Sequence, residues 1–386
     1  MADGAVPRRP GLVLHQRHRH PARRRDGRPA DVAVHAGHRV LDADAHVVEP
    51  ASVFGELARD SMDLPPTTPF VPCGDADKIA DQLSNGFDAP SYLRAMDREG
   101  IDAVVLYPSI GLFVPFRPDL DARASADACR SYNDWVAAYC ADDPSRLAAV
   151  GIAPLADPGL AAAEARRCAE LGLVGVLVRP NRLYGRNLGD AAYGPLYDAL
   201  ETTGLVLAVH EGLGLKGPTV GADRFEGFAL RHLCSHPLEQ MTAMATLLLE
   251  GVLERHPSLR VAFLESGTGW LPYWLGRLDA HHEWMRDTEC AGLPLTPTEY
   301  FRRQCVISTD PDDDLAAWTI SRVGADHVVW ASDFPHPDAL YPDAVASFLE
   351  EAGEHGLSGP PLDTVLWDTP ARFYRVEDRF AGGAPG

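Results

Sequence analysis

Eight short apolar runs, each followed by a longer stretch of mixed polarity, set the strongest limit on what this chain can fold into. The runs are Val40–His46, Ala103–Tyr107, Ala149–Ala153, Val174–Val178, Leu205–His210, Arg260–Glu265, Cys305–Ser308 and Val328–Ser332. Several are almost continuously apolar, as strands buried on both faces must be. Helical patterns lie between them, among them Ala122–Cys140, Gly159–Leu171, Leu238–Glu254, Leu271–Arg286, Leu315–Val323 and Asp343–Glu354. Pro158, Pro237 and Pro342 stand where such helices are expected to begin. Eight alternations predict a parallel sheet closed as a (β/α)8 TIM barrel. An open doubly wound sheet is the alternative, but it usually carries a glycine-rich phosphate loop after its first strand. Here that strand ends in Asp44-Ala45-His46. Residues 51–90 and 211–235 read as loop insertions after strands one and five, over the C-terminal face where barrel enzymes bind substrate. No internal repeat or linker divides the chain, so 39–386 reads as one barrel domain.

The 386 residues are 46% hydrophobic, enough for one large core. A net charge of −20 argues against nucleic acid and anionic membranes as partners. No apolar run approaches the roughly 18 residues of a membrane span. Seven scattered cysteines without a C-x-x-C pair predict buried free thiols in a reducing compartment, hence a cytoplasmic protein. Residues 1–38 differ in kind: eight arginines face Asp3, Asp26 and Asp31, and proline and glycine interrupt every helical pattern. They are expected to form a disordered basic tail.

The strand ends carry the chemistry. Asp44 and His46, two residues apart on strand one, point to the same side. His210 closes strand five and Asp333 follows strand eight. A charged or imidazole side chain ending an apolar strand is costly unless it is paired or binds a metal. Each signal alone has a plainer meaning: a turn, a satisfied core histidine, a helix-entry Asp before Pro335. Together, two imidazoles and two carboxylates at one barrel mouth suit a borderline divalent ion such as Zn2+, Mn2+ or Fe2+.

The segments LDADAHVVEP (41–50), YLRAMDREGIDAVVLYPS (92–109), YNDWVAAYC (132–140), LVLAVH (205–210), LEGVLERHPSLRVAFLESGTGWLP (249–272), ASDFPHPD (331–338) and TPARFYRV (369–376) add a second line of argument. With them the chain resembles the amidohydrolase superfamily. The similarity is to the branch that includes aminocarboxymuconate-semialdehyde decarboxylase and γ-resorcylate decarboxylase. The resemblance implies that Asp44, His46, His210 and Asp333 hold metal, and that Asp333 also exchanges protons. It implies one ion rather than two, because strand four ends in Arg179 and neither Lys78 nor Lys216 lies on it. Zn2+ is the first expectation. One departure stands out: Glu265 occupies the end of strand six, where the related decarboxylases have histidine. Glu265 is expected to act as a base or as an extra oxygen ligand.

Weaker candidates surround this set. Arg179 is read either as a clamp for a substrate carboxylate or as a salt bridge at the barrel rim. His236 is placed just before the helix after strand five, as a catalytic group facing the mouth or a simple helix-start residue. Trp270 and Tyr107 are read as substrate-stacking rings, with core packing as the plainer role. Glu211 is expected to point away from His210. His336 is read as orienting Asp333 or as loop packing, and Glu49 as a supporting residue or a turn. The expected activity is non-oxidative decarboxylation of a carboxylated aromatic or enol-type small molecule. The alternatives are hydrolysis of an amide, lactone or ester, and a binding barrel without catalysis. A homo-oligomer, dimer or tetramer, is expected.

Overall fold

The computed structural model describes residues 37–59, 61–62, 72–212, 217–221 and 224–381. Eight parallel strands form one sheet in sequential order: β1 Leu41–Val47, β2 Ala103–Pro108, β3 Leu147–Ile152, β4 Gly175–Val178, β5 Val206–His210, β6 Arg260–Leu264, β7 Cys305–Thr309 and β8 Val328–Trp330. A main helix follows each strand: α1 Ala89–Glu99, α2 Ala122–Cys140, α3 Pro158–Glu170, α4 Gly194–Thr203, α5 Phe228–Leu249, α6 Leu271–Trp284, α7 Ala316–Val323 and α8 Ala344–Glu354. Beyond β8 the chain folds back on β1 and closes the ring. Asp333 N–H donates to Asp44 O at 3.1 Å, and His46 N–H donates to Phe334 O at 2.6 Å. The barrel expected from the strand–helix rhythm is therefore the fold.

Strands of such a barrel have side chains in the interior on one face and helices on the other, so both faces are dry. Every residue of β1 to β5 is buried accordingly. The β1–β2 ladder shifts register between Asp42 and Ala45. Bulges of this kind re-aim side chains near functional sites. Here Asp42 accepts from the backbone and hydroxyl of Ser332, at 3.1 and 2.5 Å, while Asp44 faces the mouth.

Most elements lie within two residues of the sequence expectation, and three differences bear on the site. β6 ends at Leu264 and β8 at Trp330, before Glu265 and Ser332. Glu265 and Asp333 have φ of 50° and 55°, a left-handed backbone that cannot continue a strand. The third is α5, which starts at Phe228 rather than Leu238 and contains Pro237. Residues 228–236 hold neither glycine nor a β-branched residue, so the helix runs through the proline despite the lost N–H. The connection after β5 is shorter than the expected 211–235, and His236 lies inside the helix.

The expected tail, residues 1–38, lies outside the described residues except for Gly37 and His38. His38 Nδ1 contacts Asp363 Oδ1 at 2.5 Å, and the Arg39 guanidinium sits 3.4 Å over the Trp367 ring. The described parts of the 51–90 stretch form short helical turns before α1. All seven cysteines are free thiols, six buried and Cys234 half-buried. Among the described residues no helix is long and apolar enough to cross a membrane.

Candidate metal centre

Two imidazoles are fixed by their backbone partners. His46 Nδ1 lies 2.8 Å from Pro108 O, and His210 Nδ1 bonds Glu211 O. A carbonyl only accepts, so each Nδ1 carries a hydrogen and each Nε2 is the ring atom turned to the mouth, with a lone pair in the neutral imidazole. Those Nε2 atoms lie 3.7 and 3.4 Å from Asp44 Oδ1. Asp333 Oδ1 is 3.4 Å from His46 Nε2, and Glu265 Oε2 is 3.3 Å from His210 Nε2. All five atoms are buried; four have no partner outside this set, and Asp333 Oδ1 has only its ion-pair contact with His336. Orphaned buried polar atoms are rare and costly. Asp44, His46 and His210 bring three such atoms within 4.8 Å of one another, a spacing that suits one ion with bonds of about 2.1 Å, and His46, Glu265, Asp333 and His336 form an adjoining set. Burial, with His336 and His210 nearby, holds His46 well below the usual imidazole range, in the neutral form that binds metal.

A supporting layer orients these groups. His336 Nδ1 lies 2.7 Å from Asp333 Oδ1, and its ring stacks on His46 with centroids 3.8 Å apart. His336 Nε2 reaches Ser109 Oγ at 3.3 Å. The buried carboxylate of Glu49 accepts from the backbone N–H groups of Ser109, Ile110 and Gly111, which fixes that loop. Gln240, on α5, donates to Val209 O and Leu264 O at 2.8 and 3.0 Å, tying together the strand ends that precede His210 and Glu265. Tyr107 is buried, bonded to the Tyr374 hydroxyl at 2.6 Å and tilted against His210, in a packing role.

Arg179 does not serve as a substrate clamp. It is fully buried and donates to Asn181 Oδ1, Glu211 Oε2, Leu112 O and Gly212 O. Every face of its guanidinium is committed inside the protein. Its work is to lock Glu211, whose carbonyl orients His210; such outer partners tune ligand geometry. Glu211 points away from the candidate ligands, toward Arg179, as expected.

A cavity of about 370 Å3 opens over the strand ends, lined by His232, His236, Glu265, Asp310, Asp333 and Asp338 among others. His236 Nε2 lies 3.3 Å from Glu265 Oε1. Burial alone would lower His236; Glu265 outweighs it and raises the imidazole to about 9. Burial, with Asp313, Asp333 and Glu265 close by, pushes the Asp310 carboxyl far above the usual range. Trp270 is not among the lining side chains: it is half-buried before α6, its indole N–H on Ser266 O at 3.2 Å. Sequence reasoning passed over His232 and Asp310; of the two roles it offered His336, the contact with Asp333 is the one found. The H-x3-H spacing of His232 and His236 was the available signal, concealed by reading Pro237 as a helix start.

A family model described as amidohydrolase matches residues 30–376. The chain belongs to the amidohydrolase family. Among its relatives within the family is 2-amino-3-carboxymuconate-6-semialdehyde decarboxylase of Dictyostelium discoideum, 28% identical over 74% of this amidohydrolase and 78% of that protein. Gamma-resorcylate decarboxylase of Polaromonas sp. is 27% identical over 80% and 93%. The crystal structure of dihydroxybenzoic acid decarboxylase from Polaromonas sp. JS666, with bound manganese and the inhibitor 2-nitroresorcinol, superposes with a TM-score of 0.64 at 20% identity. It covers 88% of this chain and 98% of that one, which establishes the shared barrel.

Proposed function

We propose that this amidohydrolase-family protein is a metal-dependent decarboxylase that removes CO2 from a carboxylated aromatic or enol-type small molecule. The observation that carries the reading is the set of buried imidazole and carboxylate atoms that converge on the barrel mouth. Its reaction class follows the decarboxylases with which three quarters of the chain aligns. Asp44, His46, His210 and Asp333 hold one catalytic ion. The mixed imidazole and carboxylate donors favour Zn2+, with Mn2+ and Fe2+ as the alternatives. When bound, the ion stabilises negative charge on the substrate oxygens as the carbon–carboxylate bond breaks.

The protein groups divide the remaining work. Asp333 Oδ1 is held by His336, so Oδ2 is the oxygen free to deliver a proton to the carbon that CO2 leaves. Solvent then restores that proton. Glu265 and His236 form a contacting pair beside Asp333. The free thiols favour a reducing, cytoplasmic setting. Exposed Leu233 on α5, Tyr273 and Trp284 on α6 and Trp318 on α7 give a homo-oligomer apolar surface on which to form.

The test is a panel of hydroxybenzoates and enol carboxylic acids, incubated with metal-loaded protein, with CO2 and product masses measured. Stoichiometric CO2 and the matching decarboxylated product support the reading. Turnover of amides, lactones or esters in a parallel panel, without CO2 from any acid, overturns it in favour of a hydrolase.

A further inference from the structure

A second donor set lies beside the strand-end ligands. His232 and His236 are one turn apart on α5, so their rings share a face, with centroids 4.4 Å apart. With Glu265 they bring three ligand atoms within 4.8 Å of one another. His236 Nδ1 is occupied by Ser235 Oγ and His232 O at 3.2 and 3.3 Å, which turns Nε2 toward Glu265 Oε1, 3.3 Å away. His232 Nε2 lies 3.8 Å from Asp338 Oδ2. The left-handed backbone of Glu265 sets its carboxylate between the two sets: Oε2 faces His210 and Oε1 faces His236. Strained backbone of this kind persists where it serves a site.

The geometry points to a second divalent-cation site in the mouth, held by His232, His236 and Glu265 with Asp338 in reach, where Glu265 bridges to the catalytic ion. The bridging clause rests on the metal reading proposed above. Two imidazoles with one or two carboxylates suit Zn2+, Mn2+ or Co2+. The wall also favours a cation on charge grounds, since carboxylates of Asp312, Asp338 and Glu265 line the same cavity. A second ion there would partner a substrate anion beside the first, the task that Arg179, locked on Glu211, does not perform. Without an ion, the same side chains make two ordinary imidazole–carboxylate contacts, and the experiment separates the two cases.

The full chain carrying its catalytic ion is titrated with Mn2+ and, separately, Zn2+. Bound metal is counted by equilibrium dialysis and elemental analysis, and the Mn2+ sample is examined by electron paramagnetic resonance. The expected result is a second bound equivalent and, in protein whose catalytic site has been loaded with Mn2+, spin coupling between neighbouring Mn2+ ions. His232→Ala and His236→Ala each return the count to one. His232 is only half-buried, so that variant keeps the test open should His236→Ala fold poorly. Saturation at one equivalent, or a second equivalent retained in the folded variants, overturns the second site. The count needs no substrate, so failure of the decarboxylation panel leaves it standing; a protein that binds no ion at all overturns both.

Discussion

Replacing Asp333 by Asn keeps an oxygen for His336 and removes the charge and the transferable proton. Asn also tolerates the left-handed backbone at this position better than most residues, so the turn is retained. Asp333→Asn is expected to lower kcat by about 10²–10⁴, the usual range for a general acid–base group. Metal content should fall much less, because Asp44, His46 and His210 remain; a near-normal kcat with full metal would remove Asp333 from the chemistry. A second residue reports on stability. Glu99 is buried on α1, accepting from Val345 N–H at 3.3 Å, and burial raises its carboxyl to about 8. An acid whose folded pKa is raised is favoured while protonated, so stability falls as pH climbs from about 4.5, the unfolded value, to about 8. Glu99→Gln should flatten that loss, worth on the order of a few kcal/mol. Melting curves of both proteins at pH 5 and pH 8 check this; parallel pH dependence would mean that Glu99 ionises freely in the fold. The strand-end residues Asp44, His46 and His210 were legible because a polar group closing an apolar run is conspicuous. His232 and Asp310 were not, because a loop or an interrupted helix offers no period against which a side chain's direction can be read; His336 was legible only as one of two roles.

At the scale of elements, the mouth depends on how α5 meets the sheet. Gln240 bonds both Val209 O and Leu264 O, so one side chain sets the spacing between the ends of β5 and β6. Gln240→Leu keeps the size and deletes both bonds. It is expected to cost roughly 1–3 kcal/mol in denaturant unfolding, since buried carbonyls lose their donor. Metal affinity should weaken too, because His210 and Glu265 lose their spacing; unchanged stability and affinity would show that the ladder alone fixes them. The strands were legible to within a few residues, since apolar β-branched runs between turn residues have few other uses. Their last residues were not. Glu265 and Ser332 continue the apolar runs in sequence, but the backbone turns left-handed at Glu265 and Asp333 to aim carboxylates into the mouth. The start of α5 was misread for a related reason: proline marks first turns far more often than interiors, and here helix formers on its N-terminal side outweigh it.

For the whole molecule, the barrel closes through the segment after β8, whose backbone reaches β1 at Asp44 and His46. Ring closure and ligand placement are thus the same event, and the metal should stabilise the fold as it fills the mouth. Residues 1–36 stand apart by composition, and described contacts begin at His38 and Arg39. Their removal is expected to leave melting temperature and turnover unchanged. Aggregation of the shortened chain, or lost activity with metal retained, would make them part of the working fold.

The central claim is that the strand-end donors hold a catalytic divalent ion, and elemental analysis of purified protein tests it most directly. About one tightly held ion per chain is expected, released by His46→Ala or His210→Ala in proteins that still fold. Active protein without bound divalent metal, or full occupancy in both alanine variants, would contradict it.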